Sequence, residues 1–488
     1  MCSLLFGAAF IPACAPQPNA RTITPGGTAT PPTVPPSEAP RLVELTAVLD
    51  RRALFVDKPD ELVARVRVQA GTVDRRVRPP IDIALVIDTS GSMEGQAIDD
   101  ARQAALALLE GLKAGDRLTV VTFDSKAELL VPTVVLDAKT TASARASILG
   151  MQARGTTDLA AGLQTGLSQL AANMDATRTR RIVLLSDGVP NDASTIPGLA
   201  ESARMSGIAI TALGFGLEYD ETLLAQLARH TGGRFHRIAG EERIAGAFTD
   251  ELLRMDQAIA GNVVLTLRAG PGVQLRSVVG HPEIPSGSPA ATMTLTDLAE
   301  GQAQELYVEL ATAGHRDGAK VELLDVQVDY DERTIAAGRL QCDAFLSLPT
   351  STVAADAEER DRELERGVAR ARAAAATLDA VARSRAGDFV GAVAVLDEAL
   401  TRAKRSAKQL DDAELATHVD ELTKLRKTLA VEAKRQAAEL RKLAAEEARL
   451  SRSGVPRSAQ PMPAPMAAGD LATIKSSHAA AVDAFQAH

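Results

Sequence analysis

Ile81-Asp82-Ile83-Ala84-Leu85-Val86-Ile87, followed at once by Asp88-Thr89-Ser90-Gly91-Ser92-Met93, is the stretch on which the fold turns. An apolar run with almost no polar alternation reads as a parallel strand buried on both faces, because a strand with one wet face alternates with period two. The carboxylate and two hydroxyls that follow then lie on a loop at the carboxyl edge of a sheet, where ligands bind in α/β folds. Further strand candidates run from Arg117 to Phe123, Arg181 to Leu185 and Ile208 to Gly214, separated by Ala/Leu-rich helical stretches. This alternation predicts an open, mostly parallel α/β sheet over residues 80–260.

On either side the texture changes. Residues 41–79 read as extended, with period-two alternation in Val66-Arg67-Val68-Gln69, and residues 261–350 return to strands at Val263 to Leu267, Leu306 to Leu310 and Val321 to Tyr330. The later set suits a small β-sandwich. The strands before Ile81 are too few for an independent sheet, so they are expected to pair with that set, the α/β domain being inserted between them. Residues 354–450 are rich in Ala, Glu, Lys and Arg with helical periodicity, broken near Gly387 and Asp411-Asp412. That predicts a C-terminal α-helical hairpin or bundle with mostly solvated charged faces. Arg385-Ala386-Gly387-Asp388-Phe389, with Ala392, Leu396 and Ala399, resembles one helix-turn-helix unit of a tetratricopeptide array. A plain packed hairpin accounts for a single copy more simply. Residues 451–488 are Pro/Ala/Ser-rich and read as a disordered tail with at most a short helix after Asp470.

At the other end, Leu4 to Ile11 is apolar, too short to span a bilayer but suited to the core of a signal peptide. Ile11-Pro12-Ala13-Cys14 resembles a bacterial lipoprotein signal box. The resemblance implies that residues 1–14 are a leader and lipobox and that Cys14 is acylated as a membrane anchor. Residues 15–40, rich in Pro, Gly and Thr, suit a disordered tether. The expected location is the bacterial cell envelope, as a membrane-anchored lipoprotein, with a secreted or periplasmic protein as the alternative.

The chain has 488 residues, 45% hydrophobic and 24% charged, which fits several water-soluble domains. Its 54 basic and 63 acidic side chains leave a net charge of -9, so the basic footprint of nucleic-acid binders is missing. Aromatics at 3%, with no Trp, also supply a base-stacking platform poorly. Cys2, Cys14 and Cys342 supply neither a disulfide framework nor a cysteine zinc site, and no His-x-x-x-His pair occurs. Cys342 reads as a small apolar packing residue in a buried strand.

The chemistry-bearing residues fall in three separated loops. Asp88-x-Ser90-x-Ser92 resembles the metal-ion-dependent adhesion site (MIDAS) of von Willebrand factor type A (VWA) domains. Gly155-Thr156-Thr157-Asp158-Leu159 resembles the second loop of that family, with Thr157 at a ligand position, and Leu184 to Asn191 resembles the third, with Asp187 after a strand. The resemblance covers roughly Pro80 to Ala260 and implies a Rossmann-like domain with a complete metal-ligand set: Asp88, Ser90, Ser92, Thr157 and Asp187. Hydroxyl and carboxylate oxygens without sulfur or imidazole select a hard divalent ion, Mg²⁺ first, with Mn²⁺ or Ca²⁺ as alternatives. By the same resemblance, the ion keeps one position for an Asp or Glu carboxylate of a partner protein. Taken singly, Asp-x-Ser-x-Ser arises by chance and such residues often cap helices; three loops in family order carry the reading. Asp99, Asp100, Asp124 and Asp158 read as solvated, the last two as capping or supporting groups.

The function expected from these readings is metal-dependent protein binding at the envelope, in adhesion or complex assembly, with no enzymatic activity. An adaptor for an ATPase or secretion complex is the first alternative. A metal-dependent hydrolase is the second, and it lacks a visible general base: no histidine lies near the three loops, and no Ser-His-Asp order or phosphate-cradling Gly-x-x-x-x-Gly-Lys loop occurs.

Overall fold

The computed structural model describes residues 42–73, 78–172, 175, 178–216, 218–238, 241–334, 338–453 and 466–486. The leader at 1–14 with Cys14 and the tether at 15–40 lie outside the described residues.

Three strands come first: β1 (Val43–Leu49), β2 (Leu54–Phe55) and β3 (Asp60–Ala70). The α/β domain follows as β4 (Ile81–Asp88), α1 (Gln96–Gly111), β5 (Arg117–Phe123), β6 (Ala127–Val135), α2 (Ala138–Leu149) and α3 (Leu159–Ala171). It continues through β7 (Thr179–Ser186), α4 (Ile196–Met205), β8 (Ala209–Phe215), α5 (Glu221–Thr231), β9 (Phe235–Ile238) and α6 (Glu241–Gln257). Next come β10 (Ala258–Ala269), β11 (Val273–Val278), β12 (Ala290–Leu295), β13 (Leu298–Ala299), β14 (Ala303–Thr312), β15 (Lys320–Glu332) and β16 (Arg339–Ser351). The helices α7 (Ala354–Glu358), α8 (Arg362–Arg385), α9 (Phe389–Leu410), α10 (Ala413–Ser453) and α11 (Ala468–Gln486) complete the order.

The central sheet runs β6-β5-β4-β7-β8-β9, parallel except where β6 pairs antiparallel with β5. All eight residues of β4 are buried, which is why its sequence does not alternate. Ile81, Ile83, Leu85 and Ile87 enter the core shared with α1 and α6, while Ala84 and Val86 enter the one shared with α3, α4 and α5. Each of the Ile, Leu and Val side chains contributes about 1.5–3 kcal/mol on burial. The central position of β4 and β7 brings their carboxyl ends, Asp88 and Ser186, side by side.

The remaining strands form two facing sheets, β1-β3-β14-β11 and β12-β10-β15-β16-β2, with β13 on β10. β3 pairs antiparallel with β14 from Asp60↔Thr312 to Gln69↔Ala303, so strands from before the α/β domain complete a sheet made by strands from after it. Their inner residues, such as Val66 and Val68, share one core with Leu265, Leu267, Val326 and Val328. Cys342 on β16 is half-buried rather than buried, its Sγ 3.5 Å from the Val43 carbonyl oxygen.

α8, α9 and α10 pack around Val381, Leu396, Leu422 and Leu429. Asp361 caps α8, accepting from the Glu363 and Leu364 amides, and Asp411 at φ 50° ends α9. The described part of the predicted disordered tail corrects that expectation: α11 is a nineteen-residue helix that buries Ile474, Lys475, His478, Ala481 and Val482. Its buried side is made of aliphatics and three polar residues, Lys475, His478 and Gln486, the first two meeting partners on other elements, so no apolar stripe announces it. Among the described residues, no helix is long and apolar enough to cross a membrane.

Candidate metal centre

Asp88 ends β4 and is wholly buried, and both its oxygens are occupied by donors. The Ser90 amide donates to Oδ1 at 2.9 Å, and the Ser186 hydroxyl, at the end of β7, donates to Oδ2 at 2.9 Å. Ser90 Oγ lies 3.0 Å from Ser92 Oγ, and Ser92 Oγ donates to Asp187 Oδ1 at 2.8 Å. Asp88, Ser90, Ser92 and Asp187 are thereby linked in one continuous run of polar contacts. It begins in the interior and reaches solvent at Ser92, which is exposed.

Thr157 joins this run through its neighbours. Its carbonyl accepts from the Asn191 amide at 3.1 Å, and a Cβ at Gly188 would stand 3.0 Å from its Oγ1, so only glycine leaves that hydroxyl uncrowded. The first and second loops are tied by backbone bonds: Gly91 donates to the Gly155 carbonyl at 3.0 Å and Arg154 to the Thr89 carbonyl at 2.6 Å. The structure thus places all five sequence-predicted residues at one edge of the sheet.

Charge at this edge is unbalanced. The hydrogen-bond partners of both carboxylates are hydroxyls and amides, not cationic side chains. Burial pushes the Asp88 carboxyl above its usual range. Burial, opposed by the Ser92 bond and reinforced by the nearby Asp88 charge, pushes Asp187 up to about 6. Two buried carboxylates without a bonded counter-charge among the described residues, converging with hydroxyls, fit a hard cation. Among the described residues no group of three or more His, Cys, Asp or Glu is arranged to hold a metal. The donor set here is hydroxyl-rich, with two carboxylates only.

Two of the acids read as solvated are buried instead. Asp100 is 9% exposed, because it shares the inward side of α1 with Ala101 and Ala104, and accepts from Gln96 Nε2 at 2.8 Å. Asp124 is 6% exposed and pairs with Arg154 Nε at 2.8 Å; against the effect of burial, that guanidinium holds its carboxyl below the usual range. Asp99 is exposed, and Asp158 caps α3 by accepting from the Ala161 amide at 3.0 Å. Sequence reasoning missed Ser186 as the second donor to Asp88; a hydroxyl closing the apolar run Ile182 to Leu185 was the available signal. It also missed Arg154, which pairs with Asp124 while its backbone ties the first two loops together.

Comparison with known proteins bears on the same segment. An uncharacterized protein of Synechocystis is 28% identical over 291 residues, covering 59% of this chain and 67% of its own. The human inter-alpha-trypsin inhibitor heavy chain H4 is 28% identical over 169 residues, covering 33% of this chain but only 18% of its own, so the likeness there is confined to one domain. Among solved structures, a von Willebrand factor type A protein from Catenulispora acidiphila superposes with a TM-score of 0.60 over 79% of this chain and 88% of its own; at 17% identity it shows the fold alone. With the α/β sheet, its loop edge and a match over residues 82–249 to the von Willebrand factor type A domain, this chain contains a type A domain.

Proposed function

We propose that the type A domain is a metal-dependent protein-binding module, not a catalyst, in a protein held at the bacterial envelope. The observation that carries this reading is the pair of buried carboxylates, Asp88 and Asp187, joined through Ser90 and the exposed Ser92 with no cationic side chain bonded to them among the described residues. Asp88, Ser90, Ser92, Thr157 and Asp187 would hold a Mg²⁺-type ion, Mn²⁺ and Ca²⁺ being the other candidates. A bound ion supplies the positive charge that draws in an Asp or Glu side chain of a partner protein. The chain's own part is positional. Ser186 and the Ser90 amide hold both oxygens of Asp88, the Gly91 to Gly155 bond holds two loops in register, and Gly188 keeps Thr157 Oγ1 open. Type A domains often mediate protein–protein interaction, which supports a binding role.

The histidines support the same role, since those described are engaged elsewhere. His230 meets Glu201, His236 Glu251, His281 Glu283, His315 Thr312, and His418 Glu421, while His478 packs edge-on against Phe235. Among the described residues no imidazole bonds to the loops to serve as a general base. Envelope anchoring rests on the lipobox-like Cys14. The test is affinity capture from envelope extracts with the full chain, in Mg²⁺ and in chelator, alongside Ser92→Ala. A partner retained only in Mg²⁺ and lost with the variant is expected; equal capture in chelator overturns the metal mechanism. Cys14→Ala should move the protein from the membrane to the soluble fraction, and its retention on membranes would rule out the anchor.

A further inference from the structure

The loop that follows β8, next to the strand end that carries Ser186, is held by groups from outside the α/β domain. Ser186, the hydroxyl donor to Asp88, pairs in register with Gly214 on the neighbouring parallel strand β8. Gly214 carries no side chain because the ring of Tyr219 fills that space: a Cβ there would collide with the ring. Tyr219 is wholly buried in the loop between β8 and α5. Its carbonyl accepts from two cations of the helical region, Lys475 Nζ of α11 at 2.7 Å and Arg385 of α8 at 3.2 Å. The Lys475 ammonium also lies 3.5 Å from the centroid of the Tyr219 ring, and both cations share Glu221, two residues on.

Lys475 is 1% exposed and Glu221 is wholly buried, yet packing alone needs neither charge. Replacing such a buried pair by apolar side chains of like volume is often neutral or stabilising, so its presence here is better explained by geometry than by stability. What these contacts determine is where the Tyr219 backbone and ring sit, and hence how the end of β8 lies beside Ser186.

We propose that Tyr219 is a positioning residue for the metal centre, clamped by Lys475 and Arg385, so that docking of α11 sets the placement of the Ser186 hydroxyl and through it of Asp88. This rests on the reading of Asp88 and its neighbours as a metal centre. From Tyr219 the interaction runs through its ring, the backbone ladder between β8 and β7, and the Ser186 to Asp88 hydrogen bond.

The test titrates Mg²⁺ alone into the full chain by calorimetry, at a temperature where every variant is folded, for the wild type, Tyr219→Ala, Tyr219→Phe and Lys475→Met. Tyr219→Ala and Lys475→Met should weaken Mg²⁺ binding by about three- to thirtyfold, the span expected for coupling through a packed network. Tyr219→Phe keeps the ring and should bind as the wild type does. Wild-type Mg²⁺ affinity in the Ala and Met variants, with only a lowered melting temperature in chelator, would reduce the clamp to a structural role and overturn the proposal. Should the wild type itself take up no Mg²⁺, the metal reading fails, and amide exchange at residues 184–188 in chelator decides the clamp independently. Faster exchange in Lys475→Met supports it, and unchanged exchange rejects it.

Discussion

Ser186 Oγ donates to Asp88 Oδ2 at 2.9 Å, joining the carboxyl ends of the two central parallel strands directly beneath the proposed metal centre. Neither oxygen of Asp88 is left to choose its own direction, since the Ser90 amide holds the other. Partners that orient a ligand commonly alter metal affinity about 10- to 100-fold when removed, so Ser186→Ala should weaken Mg²⁺ binding by at least about tenfold. Calorimetry on folded protein reads this directly. Affinity unchanged in the variant would mean that Asp88 needs no such brace.

The same burial makes Asp88 a stability cost when no ion is present. Asp88→Asn keeps an acceptor for the Ser90 amide, gives the Ser186 hydroxyl an amide donor, and removes one of two buried like charges. In chelator the variant should therefore be more stable than the wild type by about 1 kcal/mol, as is common where a binding site is relieved of its strain. Mg²⁺ should raise the wild-type melting temperature and leave the variant's unmoved. A variant melting below the wild type in chelator would refute this account of the site's electrostatics.

The α/β domain was legible because burial on both faces abolishes alternation, so Ile81 to Ile87 announces a central strand and the residues after it announce a ligand-bearing edge. The sheet topology adds that β4 and β7 are neighbours, which a linear reading of three loops does not contain. Burial of individual acids was not legible. Asp100 and Asp124 look like any solvated carboxylate in sequence, and only their place on α1 and beside Arg154 takes them inside. The docking of α11 was the largest omission. Lys475 and His478 are polar residues that the pattern assigns to water, yet Glu221 and the Tyr219 carbonyl on one side and the Phe235 ring on the other bury them. Long-range pairing of this kind leaves no local period to read.

That docking carries a pH dependence. Burial holds His478 down at about 4, against an ordinary 6.5, with Glu221 opposing this and Lys475, Arg229 and Arg385 adding to it. The folded state therefore resists a proton that the unfolded helix accepts, and stability is lost as pH falls from about 6.5 through 4, by up to about 3 kcal/mol. Glu221 works in the same direction at lower pH. Despite burial, its bonds to Arg385 and Lys475 hold it at about 2, so its contribution is present above the ordinary 4.5 and fades as pH falls through 2. Asp483, raised by burial, opposes both. Lys475, held by burial at about 8, stays charged throughout and does not change over this range. Amide exchange over residues 468–486, corrected for intrinsic rates, should lose protection between pH 6.5 and 4.5. His478→Gln should flatten that loss, and equal wild-type protection at both pH values would exclude His478 as its source.

Arg181 offers the sharpest test of how the α/β domain is fastened to the sandwich. It is buried on β7, pairs with Glu251 of α6, bonds to Thr211 at 3.1 Å, and reaches Asp297 in the turn between β12 and β13. Against the effect of burial, Arg181 holds the Glu251 carboxyl far below its ordinary range, so removing the guanidinium strands a buried negative charge. Arg181→Met should cost about 3–5 kcal/mol in denaturant unfolding at pH 7, the usual penalty for breaking a buried pair on one side. Arg181→Met/Glu251→Leu removes the stranded charge and should recover most of that loss, even though it deletes more polar contacts. The single variant has a further signature. Without Arg181 the folded Glu251 pKa rises above its unfolded value, so this variant should gain stability relative to wild type as pH falls toward 5. A double variant no more stable than Arg181→Met, or a single variant whose deficit does not shrink in mild acid, would show that packing at this junction, not the ion pair, holds the two parts together.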